Sequence, residues 1–273
     1  MSSVVGRTRP KTEPAPELEP AYDVYARTEL RTLAVALLAS LLLWNLPFGG
    51  LLLYPFKLLA TWLHELSHGI TMIVTGAGFD EVLIYRDTSG LAYAHYRIDD
   101  YGSAVIAAAG YMGTPLWGAL LLVVTPTARA ARWAMLVLAA LMAVTAIMFV
   151  GNDFGVWAVS GMAGAFAVAA IALPARWRVA TAHFVAAQSC VNALLDIRVL
   201  FRPMQVVNGE IADNSDAHNM AIATFGTAET WAVWTWAVVW LVWSLVVLFV
   251  ALRLVGMSRW SFGVATAPTR ASS

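Results

Sequence analysis

Charged side chains are scarce in this sequence. Of its 273 residues only 12% are Asp, Glu, Lys or Arg, whereas 60% are hydrophobic, and a soluble domain has about a quarter of its residues charged. The mean hydropathy is +0.69. This composition excludes an ordinary soluble domain and predicts an integral, multi-pass membrane protein. Basic and acidic residues both total 17, so the charge balance gives no reason to expect nucleic acid as a partner.

Cysteine is almost absent, since Cys190 is the single one. One cysteine excludes an intramolecular disulfide and any cysteine-rich zinc site. A metal ion would therefore have to be held by histidine and carboxylate side chains.

Apolar periodicity is missing from the first 30 residues, which are rich in Pro, Glu and Arg. They also lack the short apolar segment and cleavage pattern of a signal peptide, so a disordered tail is predicted over residues 1–30. A second tail is predicted over residues 259–273. The remainder, residues 31–258, is predicted to be one transmembrane domain.

Long apolar runs fill the rest of the chain. A helix needs about 20 apolar residues to cross a bilayer, and cutting the sequence at its polar, Pro and Gly breaks gives seven candidates. They are residues 32–46, 50–76, 101–124, 131–150, 154–173, 176–200 and 228–254. The first is short, so the predicted fold is an all-α polytopic membrane protein with about six to seven transmembrane helices.

Two connections break this helical pattern. Residues 79–97 place apolar residues on both sides of a turn-forming cluster at residues 87–90, which predicts a β-hairpin at the membrane surface. An open sheet edge cannot face lipid, so the hairpin must lie against helices, in the headgroup zone or in a water-filled cavity. The second connection is a polar loop over residues 202–227, in which residues 214–216 predict the cap of a short helix that begins near Ala217.

The most informative motif is His64-Glu65-Leu66-Ser67-His68, which reads H-E-x-x-H inside the otherwise uncharged stretch 58–74. Two imidazoles and a carboxylate in hydrocarbon are costly without a partner. On a helix, residues four apart share a face, so His64 and His68 can bind one Zn²⁺ while Glu65 lies beside the metal-bound water. The alternative is a pair of buried histidines that bond to neighbouring helices, with Glu65 neutral.

A hydrolytic zinc site generally has three protein ligands, and Asp196 is the first candidate for the third. It lies in the span 176–200 at a depth comparable with that of the two histidines. Asn192, one turn earlier, is a candidate for a hydrogen bond that faces the substrate or orients a ligand. The alternative for Asp196 is a carboxylate at a helix end, paired with Arg198 or Arg202.

The other polar residues are weaker candidates. Asp216 can fold back on the site, although a helix cap is the simpler role. His183 is interpreted as a packed or interfacial histidine, and His95 and His218 as solvated. Gly110, Gly113 and Gly118 form a small-residue face that predicts close packing of the third span on the helix with the motif.

An H-E-x-x-H in a membrane helix, a hairpin just after it and an intramembrane Asp on a later helix together resemble the site-2 protease family of intramembrane zinc metalloproteases. Residues 109–115, 192–196 and 215–217 resemble a divergent bacterial subgroup of that family. The resemblance implies that His64, His68 and Asp196 bind one Zn²⁺ and that Glu65 is the catalytic base. This sequence differs from the usual family pattern in two places. Ser67 stands where Gly is typical, and Ile197 follows Asp196 where Gly is usual.

The function expected from these observations is hydrolysis of peptide bonds in or near the transmembrane segments of substrate proteins, in a bacterial plasma membrane. The hairpin 79–97 is the expected clamp for an unwound substrate. One alternative is a zinc-binding scaffold or transporter without catalysis, in which protein groups fill all four metal positions. Another is a membrane packing protein without metal. Intact Glu65 favours the enzyme, because a structural site has no use for that carboxylate.

Overall fold

The computed structural model describes residues 45–201, 205–212 and 215–264, together with residues 35, 38–40, 42 and 43. The predicted tail 1–30 and nearly half of the predicted span 32–46 lie outside these residues. From Gly49 onward the helices are α1 Gly49–Thr75, α2 Asp100–Val124, α3 Ala128–Met148, α4 Asp153–Ala172, α5 Ala175–Ile197, α6 Asp216–Phe225 and α7 Thr230–Val264. The strands are β1 Phe79–Ile84, β2 Gly90–Ala94, β3 Gln205–Val207 and β4 Glu210–Ala212.

The predicted fold class, a helical membrane protein with a small hairpin after the motif helix, is confirmed. Among the described residues, five helices are long and apolar enough to cross a membrane: α2, α3, α4, α5 with the 3₁₀ turn that follows it, and α7. The expected number was six to seven, because it also included the segment 32–46 and α1. Helix α1 has 27 residues, but Lys57 and the polar motif lower its hydropathy. Helix α7 extends to Val264, past the predicted start of the C-terminal tail.

The helix with the motif is held in a dense core. Its apolar face, which includes Leu59, Trp62 and Leu63 at 2% exposure or less, packs with residues from α2, α3, α4 and α5. The indole N–H of Trp62 donates to Thr145 Oγ1 on α3 at 2.9 Å. Because the indole would otherwise leave an unpaired donor in an apolar interior, this bond also fixes how α1 faces α3.

The first hairpin runs back along α1. Gly76 and Gly78, with φ of 82° and 68°, reverse the chain after α1 in a conformation that favours glycine. The Phe79 ring then lies against Gly69, and Gly90 lies where a side chain would meet Glu65 Oε1 at 2.7 Å. The two strands therefore cover α1 from near its C-terminal end back to the motif.

The outer edge of β1 is paired at Val82 and Ile84. Val82 N–H donates to the Phe149 carbonyl at 2.8 Å, and Gly151 N–H donates to the Val82 carbonyl at 3.0 Å. At Ile84 the side chain of Asn152 replaces a strand, because it accepts from the Ile84 N–H at 3.1 Å and donates to the Ile84 carbonyl at 2.7 Å. The loop between α3 and α4 thus closes this side of the sheet.

The polar connection 202–227 contains more structure than the sequence analysis predicted. Helix α6 begins at Asp216 with Ser215 as its cap, whose hydroxyl accepts from the His218 N–H at 3.3 Å, so the predicted short helix is confirmed. Strands β3 and β4 form an additional hairpin around Asn208 and Gly209, which have φ of 52° and 80°. Asn-Gly is the strongest two-residue signal for such a turn.

Replacing Asn152 by Ala is expected to destabilise the protein by about 2 kcal/mol, because two hydrogen bonds to the β1 backbone are lost and both Ile84 groups are left unpaired. Asn219→Ala, at an exposed position of α6, is the matched control and is expected to change the free energy of unfolding little. Denaturant unfolding of both variants in detergent measures this. Equal stability of the two variants would contradict the structural role of Asn152.

Candidate metal centre

The two histidines of the motif lie one helical turn apart on the same face of α1. Their ring centroids are 4.8 Å apart with an interplanar angle of 71°. Residues at positions i and i+4 are stacked along a helix, so this pairing follows directly from the sequence spacing. Both rings turn their Nε2 atoms toward the same carboxylate.

That carboxylate belongs to Asp216, the first residue of α6. Its Oδ2 lies 3.0 Å from His64 Nε2 and 3.2 Å from His68 Nε2, and the three atoms all lie within 4.8 Å of one another. Burial would raise the pKa of the Asp216 carboxyl, but the charge of His68 and the hydrogen bonds from both histidines outweigh this effect and hold the pKa well below its usual range. Asp216 is therefore present as a carboxylate.

The carboxylate that converges on the two histidines is that of Asp216, whereas Asp196 as the third ligand stays a prediction. Asp196 lies in the last turn of α5, and within the described residues the cluster that converges consists of His64, His68 and Asp216. Equal depth in the membrane brought Asp196 into consideration, but depth does not fix the direction of a side chain. Asp216 reaches the histidines because α6 packs on α2 through its buried face, where Ala217 and Ala221 are both 0% exposed.

A second hydrogen bond sets the protonation of His68. Its Nδ1 lies 2.7 Å from the Ile106 carbonyl of α2, which can only accept, so Nδ1 carries the proton. A second proton, on Nε2, makes His68 a cation that pairs with the Asp216 carboxylate; when that proton is released, the Nε2 lone pair can bind a metal ion. Two facing lone pairs require a proton or a cation between them, and a backbone carbonyl behind a ligating imidazole is typical of metal sites.

Gly110 of α2 provides the space around these nitrogens. A Cβ atom at this position would overlap Nε2 of both His64 and His68. Gly113, one turn later, lies just as close to the Ser67 side chain, which a Cβ atom at this position would overlap. The predicted close packing of the glycine face on α1 is thus confirmed for these two residues, whereas Gly118 packs against Cys190 and Ala186 of α5.

An aromatic stack forms one wall of the site. The Tyr111 ring meets His64 edge to face at 4.8 Å and 89°, and stacks on Trp240 of α7 at 4.8 Å and 5°. Trp240 is 0% exposed. Sequence reasoning did not assign a role to Tyr111, because nothing local to its position indicates that it contacts a histidine on another helix.

Glu65 is buried at 5% exposure between α1 and the start of β2. Its Oε1 faces Gly90, where a Cβ atom would lie only 2.7 Å away, and the backbone N–H of Ala92 also interacts with this carboxyl group. The Glu65 carboxyl group thus lies next to the histidines and to the edge of β2 that does not pair with β1.

The remaining predicted residues have other partners. Asn192 donates to the Phe56 carbonyl at 3.1 Å, so this hydrogen bond ties α5 to α1. Ser67 replaces a typical glycine without strain, because its hydroxyl donates to the Leu63 carbonyl at 2.7 Å and accepts from the Trp117 indole at 3.2 Å. His95 pairs with Asp80 at 3.3 Å.

The donor types and the two distances from Asp216 suit a zinc ion. Zinc bonds to nitrogen and oxygen of about 2.0–2.2 Å place neighbouring tetrahedral ligands about 3.3 Å apart, close to the 3.0 Å and 3.2 Å between Asp216 and the histidines. Two imidazoles and one carboxylate are also a donor set of catalytic zinc sites. Zinc would thus be held by His64, His68 and Asp216.

Comparison with family models agrees with this geometry. The model described as Peptidase M50B-like matches residues 33–251, which is most of the chain. The chain belongs to the site-2 protease family. Comparison with curated proteins and comparison with solved structures both give no match.

Members of the site-2 protease family are zinc-dependent intramembrane metallopeptidases. Membership of this family therefore supports an integral membrane metallopeptidase, and it agrees with the five apolar helices among the described residues.

Asp216→Asn is expected to lower zinc affinity by about 100-fold or more, because an amide is a weaker and uncharged ligand. Asp196→Asn, in the same detergent, is the comparison and is expected to bind zinc as the wild type does. Competition with a chromophoric chelator measures both. A larger loss of zinc affinity in Asp196→Asn than in Asp216→Asn would indicate that Asp196 is the third ligand.

Gly110→Ala is expected to prevent stoichiometric zinc binding, because the added methyl group would occupy the space beside both Nε2 atoms. Gly161→Ala is the control, since a Cβ atom at Gly161 meets nothing within 4 Å. Elemental analysis of the two purified proteins, after each is shown to unfold cooperatively, tests this expectation. Full zinc content in Gly110→Ala would show that the metal is bound elsewhere.

Proposed function

We propose that this protein is a zinc metalloendopeptidase, with one Zn²⁺, that cleaves peptide bonds in or near the transmembrane segments of other membrane proteins. The observation that carries the proposal is the convergence of His64, His68 and Asp216 next to the buried carboxylate of Glu65. A structural site would need a fourth protein ligand, and within the described residues the cluster has three.

In this mechanism, bound zinc supplies Lewis acidity that activates water and polarises the peptide carbonyl. Glu65 accepts a proton from the attacking water and then delivers a proton to the leaving amine. His64, His68 and Asp216 hold the ion, and Ile106 keeps the proton of His68 on Nδ1, away from the metal side. The Tyr111 and Trp240 rings limit the orientations that His64 can take.

A transmembrane substrate must unwind before it is cut, because a helix keeps its carbonyls in hydrogen bonds. The free edge of β2 suits an extended chain. In the register of this hairpin, Val82 and Ile84 direct their backbone groups to the outer side of β1, so the opposite residues Ala92 and Gly90 direct theirs to the outer side of β2. That side is where Glu65 lies, and its carboxyl group interacts with the Ala92 N–H, so a guest strand would take the place of this contact.

This arrangement supports strand addition at β2 as the way in which the substrate is held. The edge of β1 is taken by the loop after α3, so one edge remains for a guest strand among the described strands of this sheet. A substrate paired with Gly90 and Ala92 would run past Glu65 and the histidines.

We place the enzyme in a bacterial plasma membrane, on its likeness to the bacterial subgroup, with a membrane protein or peptide as substrate.

Glu65→Gln is expected to retain stoichiometric zinc and to lose cleavage of a model transmembrane peptide by at least about 100-fold, because the metal ligands remain while the group that moves the proton is neutral. Zinc analysis and a reconstituted cleavage assay measure the two effects separately. Wild-type protein that binds zinc without cleaving any of a panel of membrane peptides would instead favour the scaffold or transporter. Cleavage by Glu65→Gln at the wild-type rate would exclude this mechanism.

A further inference from the structure

The tips of the two hairpins are bonded to each other. Gly209 N–H donates to Asp87 Oδ2 at 3.2 Å, and Asn208 N–H donates to Ser89 Oγ at 3.1 Å. Within the first tip, the backbone N–H and the hydroxyl of Ser89 both donate to Asp87 Oδ1, at 3.0 Å and 2.5 Å. Asp87 therefore uses one carboxylate oxygen for its own turn and the other for the second hairpin.

The backbone of both tips is shaped for this contact. Thr88, Asn208 and Gly209 all have positive φ, at 70°, 52° and 80°. In the second tip this conformation turns two successive N–H groups outward, where they form a concave donor surface for an anion. Hydrogen bonds to a charged acceptor are stronger than neutral ones, so a carboxylate is the fitting partner.

The electrostatics of Asp87 agree with this contact. Burial would raise the pKa of this carboxyl, but hydrogen bonds from the side chain and backbone of Ser89 and from the backbone of Gly209 and Asn208 outweigh it, and the pKa lies below its ordinary value. The ionised form is thus the one that the two tips stabilise.

The first tip is anchored on the helix that carries the motif. Thr61 Oγ1 donates to the Thr88 carbonyl at 2.5 Å, and the Tyr54 hydroxyl donates to the Arg86 carbonyl at 2.8 Å. Thr61 lies one turn before Glu65 on α1. The position of Asp87 is therefore fixed relative to the two histidines.

The second tip is close in sequence to Asp216. Strand β4 follows Gly209 and pairs with β3 up to Ala212, and α6 begins at Asp216. The packed face of α6 holds the helix from its other side. The second hairpin is thus tied to α1 through the first tip, and α6 is tied to α2 through its packed face.

We propose that Asp87 is a positioning residue, which holds the hairpin that precedes α6 in the chain so that Asp216 meets His64 and His68. This inference rests on the proposed zinc site. Asp87 does not touch the metal ligands; it acts through the hairpin contact defined by Asp87, Ser89, Asn208 and Gly209, which we call the tip contact. Loss of the tip contact is expected to loosen the third ligand while leaving both histidines in place.

The test uses the full-length protein in detergent with four variants. Asp87→Asn retains one acceptor oxygen, so it cannot serve both hairpins, and Ser89→Ala removes the acceptor for Asn208. Ser89→Thr keeps the hydroxyl group. Asp80→Asn is the matched control, because Asp80 is an exposed acid on the same hairpin that pairs with His95.

Zinc affinity is expected to fall about tenfold in Asp87→Asn and in Ser89→Ala, with a changed visible spectrum of the Co²⁺-substituted protein. Ser89→Thr and Asp80→Asn are expected to match the wild type in both measurements. Hydrogen exchange should also become faster in the second hairpin of the two weakened variants, which shows directly that the tip contact has opened.

Two outcomes would overturn the inference. One is wild-type zinc affinity and spectrum in Asp87→Asn together with faster exchange in the second hairpin, since α6 packing alone would then position Asp216. The other is an equal loss of affinity in Asp80→Asn. Wild-type protein that fails to bind zinc at all would contradict the proposed function instead, so the two failures are distinguishable.

Discussion

The structure depends on three electron-pair donors that face one another in a buried place. Nε2 of His64 and His68 and the carboxylate of Asp216 come together at 3.0 and 3.2 Å, although the apolar surroundings make such groups costly. Neighbouring features follow from this constraint: a glycine at position 110 to leave space, a carbonyl behind His68 to hold its proton, and aromatic rings against His64. A cation is the simplest group that makes the arrangement favourable.

The parts of this site that are local in sequence were predictable. The spacing of His64, Glu65 and His68 fixes which helix face they share, and the helix bounds follow from the lengths of the apolar runs. The acid that converges on the two histidines was not predictable in this way, because Asp216 reaches them only through the packing of α6 on α2. Asp196 and Asp216 look alike as isolated acids near apolar segments, and only tertiary contacts separate them. The second hairpin did have a local signal, Asn208-Gly209, in a connection interpreted as a loop.

The hairpin after α1 shows how a sheet can exist inside a helical membrane protein. Its apolar side rests on α1, where Val82 and Ile84 are 2% and 0% exposed, and small residues at positions 90 and 92 allow the strands to approach the helix. Backbone groups that would be unpaired in lipid are paired with the loop after α3. The chain thereby brings a strand edge beside Glu65, which helices alone cannot do.

The side chain of Asn152 has a consequence for how copies of this protein meet. An uncovered strand in a crowded bilayer is a template for pairing with the same strand of a neighbour, and such pairing leads to irreversible association. By occupying both backbone groups of Ile84, one amide removes that template from the periphery. The other edge of the sheet, on β2, lies beside Glu65, so under the proposed strand addition the sheet would take up a substrate without becoming a seed for its own aggregation.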